Sequence, residues 1–201
     1  MTSSVTIAYP IGERLYLSIT DRCTLACRFC PKTKGSMQVH NYDLSMDHRP
    51  STEEIISAMG DISHYSGIVF CGYGEPTLRL KVLLEVAREV KRQGGHVRIN
   101  TDGLANLVNK RNVLPEMSGL VDALSVSLNA QNKMIYNRHC DPALPQAWQA
   151  LLEFLSLAPQ WIPDVTATAI NGLEGVDIDA CRQLAEKRGV KFRQRELDRV
   201  G

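Results

Sequence analysis

The sequence predicts an α/β fold in which parallel strands and helices alternate about six times. Short runs rich in β-forming or apolar residues are each followed by a segment with helical periodicity, and glycines or prolines separate the two kinds of segment. About six such units are fewer than the eight that close a TIM barrel. The alternation therefore leaves two architectures open, an open barrel and a doubly wound sheet.

The first predicted strand covers residues 14–20, where apolar and polar side chains alternate. Residues 5–9 are a candidate partner strand across a turn at 10–12. After a long polar segment, Ser51 and Glu54 have the spacing of a capping box, and apolar residues at helical spacing follow them. The chain thus predicts a strand pair, a loop and a first helix.

The later segments continue the same alternation. They are a strand at 68–71, a helix from 80 to Gly94, a strand at 97–100, a helical or irregular stretch to 120, a strand at 123–128, a linking region, a helix ending near Pro159, a strand at 165–170, a helix at 178–187 and a strand at 190–194. The chain shows no internal repeat and no linker rich in Pro, Gly or Ser. We therefore expect one domain over residues 1–201, with its core at about 14–196.

Composition excludes several classes of protein. Of the 201 residues, 44% are hydrophobic and 22% charged, which is ordinary for a globular protein and excludes disordered and collagen-like chains. The formal net charge of +1 gives no general attraction to nucleic acid, although a local basic patch stays open. No apolar run approaches the ~20 residues of a membrane helix, and residues 1–10 lack the features of a signal peptide. We expect a cytoplasmic protein.

The six cysteines are then expected to be thiols or metal ligands rather than disulfides. Cys23, Cys27 and Cys30 form a C-x3-C-x2-C pattern directly after the first strand. Three close thiolates suit an iron–sulfur cluster that keeps one iron open. The alternative is a structural zinc site with His40 or His48 as fourth ligand. Cys71 and Cys181 are interpreted as small hydrophobic residues.

Further polar residues follow the later strands, at the edge of a parallel α/β sheet where sites form. They are the segment Gly72-Tyr73-Gly74-Glu75-Pro76, then Asn100, and then Ser125, Ser127 and Asn129. With the cysteine pattern they resemble the motifs of the radical S-adenosylmethionine (SAM) superfamily. Gly74-Glu75 is similar to the core of its Gly-Gly-Glu motif, with Tyr73 as an extra residue, and Asn100-Thr-Asp-Gly103 is similar to its Thr-Asn-Gly turn, with Asp for Asn. The resemblance covers residues 14–194.

This resemblance implies a partial, open (β/α)6 barrel, a [4Fe–4S] cluster on Cys23, Cys27 and Cys30, and SAM as cosubstrate. It implies that Phe29 packs on the adenine, and that Tyr73, Gly74 and Glu75 surround the methionine ammonium. The other implied SAM contacts are Asn100, Ser125, Ser127 and, on the adenine side, Ile170. Each has a plain structural alternative, such as core packing for Phe29, a strand-to-helix turn for Gly74-Glu75, and polar groups that satisfy strand ends for Asn100 and the two serines.

More narrowly, the segments GYGEPT, VRINTDGLANLV and LVDALSVSLNAQN resemble the short TatD-linked radical SAM proteins, which suggests a functional link to a TatD-family hydrolase. The resemblance implies an enzyme that cleaves SAM and takes hydrogen from an unidentified substrate. The alternatives are a glycyl-radical-type activase of a partner protein and a non-catalytic zinc-binding α/β module. Four basic residues surround the cysteines: Arg22, Arg28, Lys32 and Lys34. They are interpreted as solvated charge, as a docking face for a flavodoxin or ferredoxin, or as a grip on a substrate phosphate. Cys140 is a weak catalytic candidate, and residues 43–49 are a candidate lid.

Overall fold

A computed structural model describes residues 6–197. Its strands, in chain order, are β1 (Ala8–Ile11), β2 (Arg14–Leu17), β3 (Gln38–Val39), β4 (Tyr42–Asp43), β5 (Gly67–Phe70), β6 (Val97–Thr101), β7 (Ala123–Ser127), β8 (Asp164–Asn171) and β9 (Lys191–Glu196). Its α-helices are α1 (Thr52–Met59), α2 (Leu80–Arg92), α3 (Ala105–Asn109), α4 (Leu114–Met117), α5 (Lys133–Cys140), α6 (Ala147–Leu157) and α7 (Ile178–Glu186). The predicted alternation is confirmed.

Seven strands form one sheet in the order β1-β2-β5-β6-β7-β8-β9, and β3 pairs only with β4 within the described chain. β1 is antiparallel to β2, and every later neighbour in the large sheet is parallel. A doubly wound sheet reverses its strand order at a switch point, whereas this order follows the sequence throughout. The structure therefore confirms the open, partial barrel and removes the doubly wound alternative.

The two faces of the sheet differ because alternate strand residues point to opposite sides. On one face, apolar side chains such as Leu17, Phe70 and Val126 join the main core together with the helices. Burying this face against the helices removes the most apolar surface from water and is the main stabilising term. The other face is concave and carries the alternate residues of each strand, which include Tyr16, Arg98, Ser125 and Thr168.

A second, smaller core lies on the concave side at the β1–β2 edge. Tyr9, Val39 and Leu44 are buried there, and the Tyr9 ring stacks on Tyr16 at 5.6 Å between ring centroids. The β3–β4 hairpin supplies Val39, and Leu44 follows the hairpin directly. The hairpin and the residue after it therefore cover this side of the barrel, and only the first residues of the predicted 43–49 lid take part.

Local signals fix several element ends. Ser51 and Glu54 form the predicted reciprocal capping box at the start of α1. The partner strand predicted at 5–9 lies instead at Ala8–Ile11, because the hairpin turns at Gly12-Glu13, and Val5 lies outside the described residues. The strand predicted at 14–20 ends at Leu17. The predicted linking region contains α5, whose first turn is capped by the Asn132 side chain.

No helix among the described residues is long and apolar enough to cross a membrane. That the chain forms one domain over residues 1–201 stays a prediction.

Candidate active site

The three clustered cysteines lie on the loop that leaves the carboxyl end of β2. Cys23 is exposed, whereas Cys27 and Cys30 are half-buried, and all three are free thiols. The Cys30 N–H donates to the Cys27 carbonyl at 3.0 Å. The Thr33 hydroxyl bonds the carbonyls of Cys27 and Cys30 at 2.8 and 2.7 Å. These bonds form a tight turn that keeps the second and third thiols together.

The same loop is fixed from the other side by the end of α5. The Ala26 and Arg28 N–H groups donate to the carbonyls of Cys140 and His139, at 3.1 and 2.9 Å. The last carbonyls of a helix have no partner inside the helix, so the loop satisfies groups that would otherwise be unpaired. A bridge between Leu25 and Pro142 continues this contact. The cysteine loop is thus anchored between β2 and α5.

Cys140 lies against Cys27 and is fully buried. A hydrogen bond with Cys140, together with burial, raises the pKa of the Cys27 thiol well above its usual range. The Asn129 side-chain amide lies 3.8 Å from the Cys140 sulfur. The structure therefore gives Cys140 a packing position behind a cluster cysteine, while its catalytic role stays a prediction.

Gly72 and Gly74 allow the next loop to approach the cysteine loop closely. A Cβ on Gly74 would lie 2.7 Å from the Arg22 carbonyl oxygen and nearer still to that of Thr20, while one on Gly72 would collide with the Ser18 hydroxyl. A side chain at Gly74 requires the backbone to move, whereas one at Gly72 requires the Ser18 side chain to shift. The Glu75 N–H then donates to the Arg22 carbonyl at 2.7 Å. The glycines therefore join the β5 loop to the cysteine loop.

Glu75 organises this end of the barrel from the inside. It is 4% exposed and accepts four hydrogen bonds, from the Thr77 N–H and hydroxyl, the Thr101 hydroxyl and the Asp102 N–H. Burial, and then the charge of Asp102, raise its pKa to about 8. The pKa of Asp102 is also raised by burial, although Thr24 donates to it at 2.6 Å. The two buried carboxyls hold one charge between them more readily than two.

Some buried polar atoms near this end of the barrel have no hydrogen-bond partner in the described part of the chain. Four of them are Ser18 Oγ, Asn100 Oδ1, Asn129 Oδ1 and the Tyr136 hydroxyl. A buried polar group without a partner is costly. These atoms follow or end β2, β6 and β7, or lie on α5 beside the cysteine loop, so they fit a polar ligand there. Three thiols and this set of acceptors and hydroxyls match the donor chemistry that a [4Fe–4S] cluster and SAM require.

The structure places the other predicted residues as follows. Ser125 and Ser127 lie on the concave face of β7, and Asn100 pairs in register with Ser125. Ile170 is buried on the concave face near the end of β8. Tyr73 bonds the Gln38 carbonyl and so joins the small hairpin, and Phe29 packs half-buried against the main core. Their contacts with SAM stay predictions.

Nothing favours the zinc alternative. A structural zinc site would need His40 or His48 as a fourth ligand beside the three cysteines. His48 uses both ring nitrogens, on Asp47 at 2.6 Å and Glu54 at 3.0 Å. His40 is exposed at the turn between β3 and β4.

Fold and site together are those of an open α/β barrel protein with a three-cysteine loop at the carboxyl ends of its strands. The family model described as "Radical SAM superfamily" matches residues 17–187. The chain therefore belongs to the radical SAM superfamily. This membership confirms the predicted enzyme class and its cofactors, a [4Fe–4S] cluster and SAM.

Curated relatives include a probable dual-specificity RNA methyltransferase RlmN from Parasynechococcus marenigrum, 27% identical over 164 residues that cover 74% of this chain and 44% of that protein. This chain thus spans less than half the length of that relative. Among solved structures, TYW1 with a lysine-pyruvate adduct gives a TM-score of 0.66 at 15% identity, covering 94% of this chain and 66% of that one. Streptococcus suis SuiB bound to S-adenosylmethionine also gives 0.66, at 11% identity, covering 94% and 40%. These structural likenesses show the fold.

The motifs did not indicate every residue of the site. Tyr136 and the Cys140–Cys27 contact depend on α5, which the apolar pattern does not reveal, although Asn132 is a usual N-cap residue. Ser18 carries no signal beyond its place at a strand end. Asp102 is visible as the residue that departs from the Thr-Asn-Gly pattern. Its pairing with Glu75 follows from the fold.

Proposed function

We propose that this chain reductively cleaves SAM at a [4Fe–4S] cluster held by Cys23, Cys27 and Cys30. One observation carries the proposal. The three-cysteine loop, which is hydrogen-bonded to α5, lies at the carboxyl ends of the strands beside buried polar atoms that have no hydrogen-bond partner in the described chain. When bound and reduced by an external donor, the cluster would supply one electron to SAM, which would give methionine and a 5′-deoxyadenosyl radical able to take a hydrogen atom from the substrate. The chain positions these groups and excludes water.

Each part of the site has a distinct task in this proposal. The backbone around Tyr73 and Gly74 offers carbonyl oxygens to the methionine ammonium, and Glu75 holds that backbone in place. Asn100, Ser125 and Ser127 provide hydrogen bonds for the ribose and carboxylate. Phe29 and Ile170 provide apolar contacts for the adenine.

The test is anaerobic reconstitution followed by assay of 5′-deoxyadenosine release from SAM with dithionite. We expect absorbance near ~400 nm and cysteine-dependent release, both lost in Cys27→Ala, because the cluster loses a thiolate ligand. Cys181→Ala is the matched control, since Cys181 is a buried thiol on α7. A colourless wild-type protein that never cleaves SAM would contradict the proposal.

The substrate is a separate question. The curated relatives are RNA methyltransferases by name, and they favour RNA as a candidate substrate. The sequence by itself gives no strong signal for nucleic-acid binding. We also propose that the chain belongs to the TatD-linked subgroup and has a functional link to a TatD-family hydrolase. Its proposed electron donor is a flavodoxin or ferredoxin. Arg22 and Arg28 are exposed on the cysteine loop and fit an acidic donor. Charge reversal at Arg28 is expected to slow reduction by flavodoxin and leave reduction by dithionite unchanged.

A further inference from the structure

The concave face carries an arginine cluster that the cofactor site does not use. Arg14, Arg98 and Arg193 line a cavity of about 250 Å³ near the amino ends of the strands, where His96 and Asp164 also lie on its wall. Arg195 lies two residues beyond Arg193 on β9. Strand alternation places all four side chains on the face opposite the main core.

Within residues 6–197, none of these four guanidinium groups has a hydrogen bond or an ion pair with a carboxylate. The one carboxylate on the cavity wall, Asp164, is paired with Lys191 at 3.0 Å. Burial, and then the charges of Arg193 and Arg14, lower the pKa of Arg98. Burial and Arg193 lower the pKa of Arg195. Arg98 is thus half-buried beside like charges, and the only carboxylate on the cavity wall is engaged by Lys191.

An unpaired guanidinium that is half-buried, as that of Arg98 is, is unfavourable for a protein alone because a buried charge needs a partner, whereas Arg14 and Arg193 are exposed at the mouth of the cavity. An arginine fork matches the geometry of a phosphate group and binds it with two parallel hydrogen bonds. The volume suits one phosphate-bearing group rather than a length of nucleic-acid duplex. Arg98 precedes Asn100, a predicted SAM contact, by two positions on β6, so these two residues are about 7 Å apart along the strand.

We infer that Arg98, Arg193 and Arg14 form an anion site that binds a phosphate group of the substrate and directs the rest of it toward the carboxyl ends of the strands. This inference rests on the proposed function for its orientation. It names the substrate class as a phosphorylated molecule. The phosphate is either a terminal one on a small molecule or one in a single-stranded RNA.

The test is calorimetric titration of the reconstituted protein with inorganic phosphate at constant ionic strength. We expect saturable binding that weakens at least ~10-fold in Arg98→Gln and in Arg193→Gln, the loss expected when one charged hydrogen-bonding partner is removed. Arg88→Gln, an exposed arginine on α2, is the matched control and should bind like wild type. Equal weakening in Arg88→Gln, or no binding by wild type, overturns the inference.

A stability readout separates a ligand site from a structural cluster. Without phosphate, Arg98→Gln should melt at a higher temperature than wild type, because it removes like-charge repulsion. A lower melting temperature together with unchanged phosphate affinity would show a structural role and overturn the inference. If Arg98→Gln does not fold, Arg98→Lys keeps the charge, loses the fork, and is expected to bind phosphate more weakly.

The source of the phosphate is separated by two further probes. Tighter binding of adenosine 5′-monophosphate than of adenosine, lost in Arg193→Gln, supports a terminal phosphate. Binding of an RNA oligonucleotide without a terminal phosphate, lost in the same variant, supports the RNA source. Release of 5′-deoxyadenosine in the same preparation reports the proposed function independently. Phosphate binding without SAM cleavage would support the anion site and overturn the proposed SAM cleavage.

Discussion

The carboxyl end of the barrel and its concave interior handle charge in opposite ways. At the carboxyl end, Glu75 accepts four hydrogen bonds and shares its burial with Asp102, and the cysteine loop is bonded to α5. On the concave face, the described part of the chain shows no carboxylate bonded to Arg14, Arg98 or Arg193, and neighbouring arginines lower the pKa of Arg98. The first region is thus organised by the chain's own hydrogen bonds, whereas we propose that the second gains its partner only when an anion binds. The comparison contrasts internally paired charge with unpaired charge.

The largest expected effect is that of Gly74→Ala at the carboxyl end. The new Cβ would press on the Thr20 and Arg22 carbonyls, which are backbone atoms that cannot rotate away. We expect a loss of about 3 kcal/mol in the free energy of unfolding, measured by urea titration, which is the upper range for overpacking. SAM cleavage should fall with it, while phosphate binding in the folded protein should persist.

Gly67→Ala is the control for that substitution, because a Cβ at Gly67 meets only ordinary contacts of 3.4 Å or more. It should change the free energy of unfolding by less than about 1 kcal/mol. Equal effects of the two substitutions would contradict the close-approach explanation.

A smaller effect is expected from Asp102→Asn, which should change how the free energy of unfolding depends on pH. The pKa of Glu75 in the folded chain, about 8, lies above its unfolded value of 4.5. The folded state then holds a proton that the unfolded state releases, so stability is highest below the unfolded pKa and falls as pH rises toward 8. Asparagine removes the neighbouring charge, lowers the pKa of Glu75 and should stabilise the protein at pH 8 by about 1 kcal/mol.

Chemical denaturation at pH 5 and pH 8 measures this difference. Asp179→Asn, at an exposed position on α7, should leave the pH profile unchanged. A wild-type protein whose stability rises between these pH values would show that the carboxyl pair does not dominate the profile.

The smallest expected effect is that of salt on the stability of the protein, through the arginine cluster of the concave face. Raising sodium chloride from about 0.02 to 0.5 M shortens the Debye length to a few ångströms. Screening of the arginine repulsion should then stabilise the wild-type protein by about 0.5 kcal/mol, as followed by thermal melting. The gain should shrink in Arg98→Gln and persist in Arg88→Gln. An identical gain in stability in both variants would show that the salt effect does not come from the arginine cluster.

The parts of the fold that depend on local pattern could be predicted from the sequence. Apolar periodicity and the Ser51–Glu54 box mark elements directly, because both act within a few residues. Helix α5 escaped because it spans only eight residues, about two turns, in which apolar and charged side chains are mixed, so that only its cap was visible. The strand order also needed the structure, since alternation alone allows both an open barrel and a doubly wound sheet.

The site divides in the same way. The cysteines and Gly74-Glu75 could be recognised because their spacing within one loop is informative. The contact of Cys27 with Cys140 and the pairing of Glu75 with Asp102 join distant segments, so no local pattern reveals them. The arginine cluster had a signal in hindsight, since Arg98, Arg193 and Arg195 occupy alternate strand positions on the face opposite the core.

The bonds between the cysteine loop and α5 bear on when this protein acquires its metal during synthesis. Each sheet strand pairs with one of its neighbours in sequence, so the barrel can grow as the ribosome extends the chain. The cysteine loop is different, because its partners His139, Cys140 and Pro142 are made much later than the thiols themselves. Until those residues emerge and fold, iron and sulfide would meet three cysteines on a loop that lacks its bonds to α5. We therefore expect cluster insertion to follow the folding of α5.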